Sequence, residues 1–183
     1  MYKRQLLELC APLHPIVFND LFCLQDSRVH TISVGAARPE DFDLHLEALH
    51  LLPNAAALID PVDQRLRQAA DEALGPDWMA TWSVGLPPWH ATPGEINLPV
   101  LLWLYNLLEA WDLESYAKAR YGLLGSGGHW FAGANADGFE AEVSAEELQN
   151  VLQTSPWQER IPDILRSLKH RLKGESQMRL SSV

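Results

Sequence analysis

The stretch Val29-His30-Thr31-Ile32-Ser33-Val34 is the only part of this 183-residue chain that reads as a convincing β-strand. It is rich in β-branched residues, and its alternation sets His30, Ile32 and Val34 on one face and Val29, Thr31 and Ser33 on the other. A strand without a neighbour leaves its backbone donors and acceptors unpaired, which folded proteins rarely tolerate when those groups are buried. The segment therefore implies a sheet supplied by another chain, or by sequence missing from this one. The expected fold class is mainly α, with one strand left over from a larger sheet.

Everything around that strand reads as helix. Residues 14–25 place Pro15 in a first turn with Val17, Leu21 and Leu24 on one face. After the strand, Gly35-Ala36-Ala37 makes a turn and Pro39 opens a helix. Glu40, Asp41 and Asp43 lie in or near its first turn, where the positive end of the dipole favours acids. Phe42, Leu46 and Leu49 are its expected buried stripe, and Pro53-Asn54 end it. Asp60-Pro61 is read as the cap and first turn of a helix to Gly75, with Val62, Leu66, Ala69, Ala70 and Ala73 inward. A short turn at "DWMATW" and a proline-rich loop over 85–97 follow. Asn97-Leu98-Pro99 caps a helix apolar nearly all round, the expected centre of the second half. Further helices are expected at 114–123, from the Ser144-Ala-Glu-Glu147 capping box to Thr154, and at 158–172. All seven tryptophans fall between 78 and 157, which marks two modules with a boundary near 55–60.

The formal net charge of −10 argues against general nucleic-acid binding, which needs a basic surface to displace counterions. Residues 158–183 sum to +3, so the basic end could touch an acidic partner, or be a solvated helix and a frayed tail. Cys10 and Cys23 lie in separate apolar segments without CxxC spacing and are read as buried free thiols of a reducing compartment. Glu8 interrupts the first apolar run, so no signal peptide is expected. The apolar segment 98–113 is too short for a membrane span and carries Asn106, Glu109 and Asp112. These features place the protein in the cytoplasm, away from membranes.

Several constellations carry little chemistry. Gly125-Ser-Gly-Gly-His129 looks like a phosphate loop but follows a helix rather than a strand, and a helix end with a loop explains it. His45 and His50 do not share a helical face. Trp103, Trp111, Tyr105 and Tyr116 read as core rather than a stacking platform. No Ser–His–Asp or Cys–His arrangement is arguable from spacing.

Residues 14–49, "HPIVFNDLFCLQDSRVHTISVGAARPEDFDLHLEAL", resemble the last helix–strand–helix of an aldo/keto reductase (β/α)8 barrel, where a strand runs into V-G-A, a polar residue, Pro-Glu and a helix. The second half, with "LPPWHATPGEINLPVLLWLYNLLEAW" and "GGHWFAGANADG", resembles the helical ferredoxin-like domain that follows the barrel in one branch of that superfamily. The resemblance covers nearly the whole chain. It implies residues 1–54 as a barrel end, 55–173 as a helical ferredoxin-like domain and 174–183 as a flexible tail. It also implies a corner for the adenosine 2′-phosphate of NADP: Ser33, Gly35 and Ala36 by backbone groups, Arg38 by its guanidinium fork, Glu40 and Asp41 near the ribose and adenine edge.

The chain departs from that family in two ways. The early and middle barrel strands that carry the family's catalytic Asp, Tyr, Lys and His are absent, so no catalytic residue is assigned. The loops after "LPP" and "GANAD" hold no cysteine, so no iron–sulfur cluster and no other metal is expected. The leading expectation is the C-terminal portion of an aldo/keto reductase-like, NADP-dependent oxidoreductase, inactive without a barrel. Its expected partners are a barrel-bearing polypeptide or a second copy joined through the open strand. The alternatives are a non-enzymatic helical interaction module and a gene remnant.

Overall fold

The computed structural model describes residues 4–36, 38–125 and 132–174. Ala37 of the expected turn, His129 with most of the "GSGGH" loop, and residues 175–183 of the expected tail lie outside the described residues. The fold is mainly helical, and among the described residues no strand or sheet is formed; pairing is limited to isolated bridges at Ile96–Ala134 and Phe139–Val143. The chain divides into two compact units, Met1–Ala69 and Ala70–Val183.

The first unit contains α1 (Arg4–Cys10), α2 (Pro15–Leu24), α3 (Asp43–Leu51) and most of α4 (Ala55–Leu74). Pro15 stands at the first turn of α2, and the His14 ring accepts from the Ile16 N–H at 3.2 Å, closing that helix start. Val17 and Leu21 are fully buried along α2. Arg65 of α4 donates from Nε to the Leu9 carbonyl at 2.9 Å and from its fork to the Ala11 carbonyl, satisfying acceptors at the end of α1. Cys10 is buried beside it, and burial pushes its thiol pKa up against the lowering effect of Arg65. Cys23 is only half-buried, against the expectation of a buried thiol.

Three further expectations for this unit are corrected. Residues 29–34 form neither strand nor ladder, and no other described segment of the chain offers them a partner. The expected stripe of α3 is outward: Phe42, Leu46 and Leu49 are 46%, 52% and 53% exposed. The inward face is instead Leu44, His45 and Ala48, and the fully buried Ala48 lets α3 lie close against α2. Finally, α4 begins at Ala55 rather than Asp60, so Pro61 lies inside it. The run Ala55-Ala56-Ala57-Leu58 has high helix propensity and carries the helix past the proline, which lacks an N–H to give to Ala57. The inward face of α4 is as expected at Val62 and Ala70, but Ala73 is exposed.

The second unit contains the end of α4, α5 (Pro76–Thr81), α6 (Leu98–Trp111), α7 (Glu114–Tyr121), α8 (Ala145–Val151) and α9 (Ile161–Leu172). As expected, Asn97 caps α6 by accepting from the Val100 N–H at 3.2 Å, and Leu98, Leu101, Leu102, Leu104 and Leu108 make α6 the centre of one core. Ile161, Ile164, Leu165, Leu168 and Leu172 join it from α9. Trp78 is buried with its indole N–H on Asn106 Oδ1 at 2.7 Å, and the Arg160 guanidinium lies 4.3 Å from its ring centroid. The Ser144–Glu147 capping box forms as read, starting α8.

The basic end of this unit is largely engaged within the chain. Arg166 pairs with Glu140 and Asp163, Arg171 pairs with Glu109, and Lys169 donates to the Phe139 carbonyl at 2.7 Å. Residues 93–97 and 132–136 are held together by main-chain bonds: Ala134 N–H to Glu95 at 2.8 Å and Asn97 N–H to Ala134 at 2.9 Å. Gly133, at φ +84°, permits that approach, since a Cβ there would stand 2.7 Å from the Glu95 carbonyl oxygen.

Candidate functional site

Residues 29–43 form the corner singled out by the sequence. Val29 closes the turn after α2, its N–H meeting the Asp26 carbonyl at 2.8 Å. From 30 to 36 no backbone-to-backbone hydrogen bond is made among the described residues. The expected alternation holds only over four residues: Ile32 and Val34 are half-buried and Thr31 and Ser33 exposed, but His30 is exposed and Val29 half-buried. Gly35 has no left-handed φ, and a Cβ there would meet nothing within 4 Å. The glycine is thus not required by the packing of the described chain.

Arg38 is extended and Pro39 starts a 3-10 turn, Pro39–Phe42, that leads directly into α3. The Arg38 N–H donates to Asp41 Oδ2 at 3.1 Å, its guanidinium reaches Asp41 Oδ1 at 3.4 Å, and the Asp41 N–H returns to the Arg38 carbonyl at 3.1 Å. The Arg38 side chain is 75% exposed. Of the sequence-derived site residues, Arg38 and Asp41 are therefore brought into contact, with Glu40 exposed beside them. Ser33, Gly35 and Ala36 lie exposed in the irregular run before them. Main-chain amides without a backbone partner among the described residues and an outward guanidinium suit an anion, whereas Asp41 and Glu40 place negative charge beside it.

A second polar arrangement in the same unit escaped sequence reading. Asp20 of α2 is 3% exposed, and His45 Nδ1 of α3 donates to its Oδ2 at 2.5 Å. Phe42 meets the His45 ring edge-on, with centroids 6.3 Å apart. His45 is thereby turned toward α2. The signal was present: Asp20 falls within the apolar stripe of Val17, Leu21 and Leu24, where a charge needs a buried partner. Chemically the pair is a carboxylate orienting an imidazole, but no hydroxyl or thiol is hydrogen-bonded to His45 among the described residues, so it lacks a nucleophile.

Among the described residues no group of three or more His, Cys, Asp or Glu is placed to hold a metal ion, and no helix is long and apolar enough to cross a membrane. No family model, curated protein or solved structure matches the chain.

Proposed function

We propose that this chain is the C-terminal portion of an aldo/keto reductase-like, NADP-dependent oxidoreductase. It contributes the corner that holds the cofactor's 2′-phosphate and is not catalytic by itself. The observation that carries the proposal is the irregular run 30–36, which makes no main-chain hydrogen bond among the described residues, followed at position 38 by an outward Arg38. Amides of Ser33, Gly35 and Ala36 have no competing main-chain partner among the described residues, and the open space at Gly35 allows a phosphate to come close. Arg38 would meet the phosphate by exchanging Asp41 for it. The nicotinamide would supply hydride chemistry only with a barrel from a separate polypeptide or an upstream reading frame, since no group of this chain is assigned to the reacting carbonyl. On the same reading, the second unit is a ferredoxin-like scaffold without cluster ligands. Its loops at 93–97 and 132–136 are bonded to each other, and the chain's two cysteines both lie in the first unit.

The test is a thermal-shift titration of the full chain with NADPH and with NADH. NADPH is expected to raise the melting temperature and NADH to do so less. Arg38→Ala should abolish the difference, Gly35→Ala should weaken binding with the free protein's Tm unchanged, and Asp41→Asn should strengthen it several-fold. No shift with either nucleotide removes the cofactor corner. A second reading, a non-enzymatic helical interaction module, is favoured by one observation: the second unit has a continuous core of its own.

A further inference from the structure

We infer that the outward face of α3 is a docking ridge for a basic amphipathic helix of another protein. Phe42, Leu46 and Leu49 recur at the i, i+4, i+7 spacing of one helical face, and each is about half exposed. The ridge is held firmly from behind. On its inward side α3 rests on α2 through the buried Ala48 and the His45–Asp20 bond, so the apolar row is offered without rearrangement.

Charge selects the occupant. One position on from the apolar row runs a second exposed row, Asp43, Glu47 and His50, and the exposed Glu40 stands at its start. Among the described residues no ion pair engages Glu40, Asp43 or Glu47. The only Lys or Arg from 38 to 51 is Arg38, and it pairs with Asp41. An apolar ridge beside unneutralised carboxylates is complementary to a helix with aliphatic side chains on one face and Lys or Arg along its flank. Flanking charges choose partners between paired helices in the same way. The carboxylates also disfavour the other covers for such a face. A second copy, at a net charge of −10, brings like charge, and an anionic lipid surface does the same. Three half-exposed side chains fall short of the roughly 800 Å² that a stable interface buries on each partner, so a weak, micromolar complex is expected. The inference uses neither Arg38 nor the amides of 33–36, and it stands apart from the cofactor reading.

The experiment is fluorescence anisotropy of a labelled amphipathic helix of Leu and Lys, about 18 residues long so that it can hold its helix. The full chain is titrated in from about 1 to about 300 μM, a range that brackets a micromolar dissociation constant. One companion peptide has Glu for every Lys, and another has Ser for every Leu. Only the Leu/Lys peptide is expected to bind. Leu46→Gln and Leu49→Gln keep the charge and should each weaken binding at least about fivefold, as should Asp43→Asn combined with Glu47→Gln. Val84→Gln, at an exposed apolar residue outside α3, should change nothing. Far-ultraviolet circular dichroism checks that each variant folds, and with two separate leucine variants one can fail without ending the test. Absence of binding across the range overturns the inference. So does equal binding of the Glu peptide. A Leu/Lys peptide that ignores the Leu46 and Leu49 substitutions is held by general attraction to an acidic chain, which overturns it too. A dimer in sedimentation velocity that Leu46→Gln abolishes would give the ridge to a second copy instead. Binding to phosphatidylglycerol vesicles, lost in the same variant, would give it to a lipid surface.

Discussion

Asp20 and His45 couple two helices through one hydrogen bond, and the cost of that bond is asymmetric. With both groups present, the buried carboxylate is satisfied by the imidazole N–H. His45→Ala leaves it buried without that partner, a change of the class that costs about 3 kcal/mol, whereas His45→Gln can restore a donor and should recover part of the loss. Chemical denaturation of the three proteins checks the order. Tyr121 gives a different residue-scale prediction. Burial first, then its hydrogen bond to Asp137 at 2.8 Å and that carboxylate's charge, push the phenol far above its ordinary pKa. The folded state then keeps a proton that the unfolded chain releases near pH 10, so stability is full below that pH and falls above it, at up to about 1.4 kcal/mol per pH unit. Tyr121→Phe should flatten that alkaline fall in a series of melts while costing about 1 kcal/mol at neutral pH. A tyrosine in the sequence does not announce such a partner. Asp137 is sixteen positions away, and only the fold brings the two together.

At the scale of elements, signals confined to one turn were legible. Asn97 before α6, Ser144 with Glu147 at α8 and Pro15 at α2 act over three or four residues, and each does what its chemistry implies. Signals that depend on a neighbouring element were not. The pattern of α3 offers two plausible inward faces, one with Phe42, Leu46 and Leu49 and one with Leu44, His45 and Ala48. Hydrophobicity favours the first, yet close packing against α2 through the small Ala48 and the His45–Asp20 bond selects the second. That orientation is testable by opposite substitutions. Leu46→Lys, on the outward face, should change stability by no more than about 0.5 kcal/mol, whereas Ala48→Leu should cost about 1–3 kcal/mol by overpacking. Thermal or urea unfolding of both variants decides it, and a large loss for Leu46→Lys would return the stripe to the core.

For the whole molecule, the expected strand is where sequence and structure part: residues 29–34 form no strand among the described residues. The burial of Ile32 and Val34 against the exposure of Thr31 and Ser33 spans only four residues, whereas a sheet is a long-range object and no strand is formed among the described residues. The second unit is in the opposite position. Its core runs from Ala70 to Leu172, and the aromatic cluster of Trp78, Trp157 and Arg160 closes within it, with the Trp157 indole N–H on Thr81 at 3.0 Å. The long-range contacts Trp78–Asn106, Trp157–Thr81 and Arg171–Glu109 are each made between residues of the unit itself. A fragment from Ala55, where α4 begins, to Gly174 should therefore fold cooperatively without residues 1–54, with a single sigmoidal melt and helical circular dichroism. Urea unfolding of the fragment should give a midpoint near that of the tryptophan fluorescence transition in the full chain, because all seven tryptophans lie within it. A broad, non-cooperative melt, or a midpoint that collapses when the first unit is removed, would mean that this core is completed by the residues cut away.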